Sequence, residues 1–252
     1  MAKIILDIRF YDNDDLCEKT IEQWNYLRDL GYDPIAERFA LKLNERKFET
    51  GDWDHLYIYF TNRLPPGDIK LRTKGERVAS VLVGVNNSDL YEFDREGRQD
   101  FELKTISESF YFLSKEQTMD LESVDAVKKL LKMHGENLEI VQKKKTSRSI
   151  HAIVSYTVSN QSRLYIFARD DKNGQQGKRE IVRLKDPRDA RTIASKVLVK
   201  EDEIQIHPRK SMKAKWICDQ YSQDLYSSDD FIRVSLEELF SNYSCNDLLN
   251  RW

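Results

Sequence analysis

The sequence predicts an α+β protein with predominantly antiparallel sheets and helices packed on one face, arranged as one large or two small domains. Three observations carry this. Short strand-like runs follow one another through short polar joints, as hairpins do, more often than with the spacing of βαβ crossovers. Two long stretches, 14–30 and 121–134, repeat apolar residues at helical spacing. The chain has 252 residues, 40% of them apolar, enough to bury a core in one domain or in each of two.

The elements follow in order. Lys3 to Phe10 is expected as a buried strand. Asp14 to Leu30 is expected as a helix, with Ile21, Trp24, Leu27 and Leu30 on one face and Gly31 as its stop. Arg38 to Leu43 reads as a strand. His55 to Phe60 is a second, built of β-favouring residues. Leu64-Pro65-Pro66-Gly67-Asp68 must turn, and Arg77 to Val85 is a third strand, ended by Asn86-Asn87-Ser88-Asp89. Tyr91 to Phe93 and Phe101 to Ile106 then flank residues 94–99 as a hairpin would.

The second half opens with a helix over Leu121 to His134, stopped by Gly135. Ile150 to Val158 and Arg163 to Arg169 alternate as two strands joined by Ser159-Asn160-Gln161-Ser162. Asp170 to Gly177 is a polar loop, Glu180 to Leu184 a strand, and Pro187 to Lys196 a short helix with proline in its first turn. Ser235-Leu236-Glu237-Glu238 has the capping-box pattern and begins a final helix. A boundary near Ser114 to Glu122 divides the chain into residues 1–118, acidic and strand-rich, and residues 119–252, basic with an acidic helical end.

Charge is distributed unevenly. Residues 1–125 carry a net −9, residues 126–218 a net +12 and residues 219–252 a net −5. The central segment has the balance of a polyanion-binding surface. Lys143, Lys144, Lys145, Lys178 and Arg179 are its candidate nucleic-acid contacts, with Tyr156, Tyr165 and Phe167 as stacking platforms.

Several classes are disfavoured. Cys17, Cys218 and Cys245 are distant and odd in number, which speaks against a disulfide framework or a zinc site and for a reducing cytoplasm. The apolar run after Met1 is too short for a secretory signal, and no run is long enough to span a bilayer, so no membrane partner is expected. His55, His134, His151 and His207 are isolated, the segment Gly174 to Lys178 has the wrong spacing for a phosphate loop, and no cofactor is expected.

Two functional readings remain. In the first, Trp53, Asp54, Tyr57 and Tyr59 form an exposed aromatic and acidic patch, because Tyr57 and Tyr59 alternate with Leu56, Ile58 and Phe60. That suits a non-enzymatic protein-binding protein, of the kind an immunity protein or antitoxin-like inhibitor is, acting on a toxin or a regulated enzyme. In the second, the basic segment 126–218 binds nucleic acid, with a magnesium-dependent nuclease site at Asp94, Glu102 and Lys104. There an acid precedes a Glu-x-Lys whose side chains share a strand face.

Overall fold

The computed structural model describes residues 2–12, 34–86, 94–221, 225 and 230–241. The chain divides into two units, Met1–Leu138 and Glu139–Trp252. The expected helix at 14–30 and the expected strand at 91–93 lie outside the described residues. The fold is α+β: among the described residues, seven strand pairings are antiparallel and two parallel.

The first unit is built on a four-stranded mixed sheet. Its strands are β2 (Asp7–Asp12), β4 (His55–Thr61), β5 (Ile69–Lys74) and β6 (Val78–Gly84), in the order β2-β4-β6-β5. The pairs β2/β4 and β4/β6 run parallel, and β5 returns antiparallel along the edge. Two short strands, β1 (Lys3–Ile4) and β3 (Glu49–Gly51), pair beside it. Period-two alternation sends Ile8, Leu56, Ile58, Phe60, Val81 and Val83 to one face, where they are buried.

Helices α1 (Ile35–Glu45), α2 (Arg95–Leu113) and α3 (Leu121–His134) belong to the same core. They contribute Phe39 and Leu43, Leu103, Ile106 and Phe110, and Val124, Val127 and Leu131. Residues 119–138 therefore belong with the first unit. Gly135 ends α3 with φ 51°, a left-handed conformation that glycine adopts without strain.

Two expected strands are helices. Arg38 to Leu43 lies within α1: Phe39, Leu41 and Leu43 alternate as in a strand, but Ile35, Phe39, Ala40 and Leu43 also recur at helical spacing. Pro34 precedes the first turn. Phe101 to Ile106 lies within α2. The expected hairpin loop is instead that helix's start, where Asp94 accepts the Gly97 N–H at 2.8 Å. Leu103, Ile106, Phe110 and Leu113 then make a helical stripe, all buried.

The second unit contains an antiparallel meander in the order β10-β9-β8-β7. Its strands are β7 (Glu139–Ser147), β8 (Ile150–Thr157), β9 (Arg163–Asp170) and β10 (Gln176–Arg183). A three-stranded antiparallel sheet follows, β11 (Lys196–Val199), β12 (Glu203–His207) and β13 (Ile232–Ser235). Its helices are α4 (Ala190–Ile193), α5 (Met212–Asp219) and α6 (Leu236–Ser241). The Glu238 N–H donates to the Ser235 hydroxyl at 3.3 Å at the start of α6. A Cβ on Gly177 would stand 2.0 Å from the Leu239 carbonyl oxygen, so β10 and α6 approach as closely as backbones can.

Candidate functional site

The feature with the most distinctive chemistry is the outer face of the first unit's sheet, opposite the helices. Parallel register sets Arg9 beside Tyr57 and Tyr11 beside Tyr59. Tyr11 stacks on Tyr59 at a centroid separation of 5.0 Å and meets Tyr57 edge-on at 5.2 Å. Arg72 on the edge strand lies over the Tyr59 ring, its guanidinium carbon 3.9 Å from the centroid. Arg9 approaches the Tyr57 ring at 5.9 Å. The three tyrosines are half-buried, and Arg9, Lys70 and Arg72 are exposed.

The electrostatics of this face are cationic. Arg9 pairs with Asp7 at 2.5 Å. A side-chain hydrogen bond with Tyr11, followed by the Asp7 carboxylate, raises the Arg9 guanidinium above its ordinary value. Ser80, on the same face, is buried and shares a 2.6 Å hydrogen bond with Thr73. Asp54, the acid expected beside the tyrosines, reaches this face through His55, whose ring meets Tyr57 edge-on at 6.1 Å. Asp54 pairs with His55 and stands 3.9 Å from Arg77.

The structure corrects the expected aromatic and acidic patch at Trp53. Trp53 is 0% exposed. It stacks on Phe110 at 6.3 Å in a core cluster with Phe39 and Phe48, because the chain between β3 and β4 folds inward. Tyr57 and Tyr59 do face away from the helices, where Arg9 and Arg72 lie over their rings, the Asp7 carboxylate holds Arg9 and Asp54 holds His55 beside Tyr57. Sequence reasoning missed Arg9, Tyr11 and Arg72, which come to this face only through strand pairing. The alternation of Arg9 and Tyr11 with Ile8 and Phe10 was the one local signal for them.

The nuclease arrangement does not form. Glu102 and Lys104 lie two positions apart on a helix, about 200° around its axis, and not on a common strand face. Glu102 is buried and Lys104 is exposed, while Asp94 caps the helix between two and three turns away. Among the described residues no three His, Cys, Asp or Glu side chains are grouped to hold a metal ion.

The five basic residues do not form one surface either. Lys143, Lys144 and Lys145 are on β7, one edge of the meander, and Lys178 and Arg179 are on β10, the opposite edge. Successive strand residues point to opposite faces, so Lys144 is turned away from Lys143 and Lys145, and Lys178 away from Arg179. Lys178 is largely buried, pairs with Glu139 and lies 4.4 Å over the Tyr165 ring. Arg179 pairs with Glu238 at 3.4 Å. Tyr156 and Phe167 are 3% and 4% exposed and offer no open ring face.

One shallow groove of about 540 Å³ lies beyond the carboxyl ends of β4 and β6, lined by residues 62–66 with Val85 and Asn86. Ligands favour this end of a parallel sheet. Among the described residues its lining has a single charge, Arg63, and no carboxylate, histidine or cysteine for acid–base or nucleophilic chemistry. No helix among the described residues is long and apolar enough to cross a membrane. No protein family, no curated protein and no solved structure matches this chain.

Proposed function

We propose that the chain is a non-enzymatic binding protein and that a partner protein docks on the tyrosine–arginine face of the first sheet. The observation that carries this is the ordered column Arg72–Tyr59–Tyr11. Tyrosine and arginine are enriched among the anchors of protein interfaces, tyrosine because it presents large contact area at small entropic cost and arginine because its planar fork stacks and hydrogen-bonds at once. Here the strands hold the rings and each ring restrains a guanidinium, so little order remains to be imposed on binding. Arg9, Lys70 and Arg72 add positive charge, which a partner with an acidic surface complements. The faces of Tyr59 are taken by Arg72 and Tyr11, which leaves no vacant face there for a nucleic-acid base to stack on and favours a protein partner over a single strand.

In this reading the partner is a toxin or an enzyme whose activity the complex suppresses, and the setting is the cytoplasm. The test is truncation of the column. Arg72→Ala and Tyr59→Ala should each weaken the complex by tenfold or more, as interface anchors do. Lys104→Ala, on the exposed side of α2, should leave it unchanged.

A further inference from the structure

The second unit carries a different surface, independent of the proposal above. Helix α5 opens with Ser211, whose hydroxyl accepts the Ala214 N–H at 3.2 Å. Ala214, Ile217 and Cys218 turn inward and are buried. At 100° per residue this leaves Met212 and Trp216, one turn apart, side by side at the centre of the outer face. They are 88% and 66% exposed, more than any other large apolar side chain among the described residues. Lys213 and Lys215 flank them, one on each side, and Arg209 and Lys210 lie just before the helix. All four cations are exposed. The Arg209 N–H donates to the Thr192 carbonyl at 2.9 Å, which anchors this segment beside α4.

Two large apolar groups held in water with a lysine on either side, and with Asp219 the single acid exposed on α5, form the pattern of a helix that lies along a membrane surface. Tryptophan settles at headgroup level, lysine stems reach from an apolar footprint to phosphate, and each cation near an anionic leaflet strengthens binding about fivefold. A nucleic acid would use the cations and could stack a base on Trp216, but it would leave Met212, the more exposed of the pair, against a polar backbone. A bilayer buries both. We propose that α5 docks this unit on an anionic phospholipid surface, with Met212 and Trp216 inserted and Arg209, Lys210, Lys213 and Lys215 on headgroup phosphates. Such contact needs no spanning segment.

The experiment is co-sedimentation of the full chain with vesicles of phosphatidylglycerol and phosphatidylcholine in equal parts. The protein should pellet with these and stay in solution with phosphatidylcholine alone. Met212→Ser with Trp216→Ser should lower partitioning at least tenfold. Lys213→Glu with Lys215→Glu should lower it at least about twenty-fivefold, two cations' worth. All four side chains are exposed, so unchanged thermal melts will establish that the variants fold. Failure of the wild type to pellet with anionic vesicles overturns the proposal, as do variants that pellet like the wild type. Retention of a single-stranded oligonucleotide that these substitutions abolish, with vesicles ignored, would assign the surface to nucleic acid instead.

Discussion

Arg72 on the edge strand and Tyr59 on the central strand are two strands apart, yet the Arg72 guanidinium carbon lies 3.9 Å from the Tyr59 centroid. The β5/β6 register shifts between Leu71 and Thr73. The shift places Arg72 at the irregularity, where a bulge can re-aim a side chain across the sheet. An arginine laid over a half-buried ring loses part of its hydration while keeping its N–H groups at the rim, the arrangement that suits recognition of a carboxylate.

Gly84 offers a sharp test of the turn beside this sheet. A Cβ there would stand 2.0 Å from the Pro65 carbonyl oxygen, and the Gly84 N–H and carbonyl hold Asp68 and Gly67. Gly84→Ala should lower unfolding free energy in urea by about 1–3 kcal/mol, as overpacking does. Gly75→Ala, whose Cβ meets nothing within 4 Å, should change it by less than about 0.5 kcal/mol.

The pair Glu139–Lys178 should behave as a buried ion pair. The two side chains are 8% and 12% exposed, and the Ser155 hydroxyl also donates to Glu139 at 2.7 Å. Glu139→Leu or Lys178→Met alone should cost on the order of 3–5 kcal/mol, because each leaves a charge without its partner in a poorly hydrated place. The double substitution should cost less than either single one, and denaturant unfolding of all four proteins would give the coupling. Additive losses would show that the pair is not coupled.

Asp120 caps α3 and should confer a pH-dependent part of the stability. The Ser123 hydroxyl, at 2.6 Å, and then its N–H, at 3.1 Å, hold the carboxyl below its ordinary value. A value lowered by folding means that the ionised form stabilises the native state. The contribution is complete above the ordinary value of 3.8 and fades as pH falls through the lower folded value. Asp120→Ala should cost about 1 kcal/mol at neutral pH, and its difference from the wild type should shrink toward zero in acid. A difference constant down to about pH 2 would contradict the assignment.

Much of the fold was legible wherever one period dominated. His55 to Phe60 alternates cleanly and is a strand, and Leu121 to His134 keeps a helical stripe up to its stop at Gly135. Two segments misled because both periods fit. In Arg38 to Leu43 and Phe101 to Ile106 the short window alternates, while the helical stripe emerges only over a longer one. Gly97 suggested a turn, yet it sits in the first helical turn, where its N–H meets the Asp94 carboxylate. Strand β7 was hidden because Lys143, Lys144 and Lys145 carry no apolar period at an exposed edge. The tyrosine face was half legible: alternation placed Tyr57 and Tyr59 together, but Arg9, Tyr11 and Arg72 join them through pairing that no local pattern records.

The central claim is that the Tyr–Arg face binds a partner protein, and the most direct measurement is site-specific crosslinking. A photo-crosslinking phenylalanine analogue placed at Lys70, on the rim of the face, should join one protein in cells, and the same group at Lys104 on α2 should not. The captured protein, once purified, should bind the wild-type chain in calorimetry and lose affinity tenfold or more to Arg72→Ala or Tyr59→Ala, about 1.4 kcal/mol each. Equal crosslinking from both positions, together with unchanged affinity in the two variants, would contradict the account.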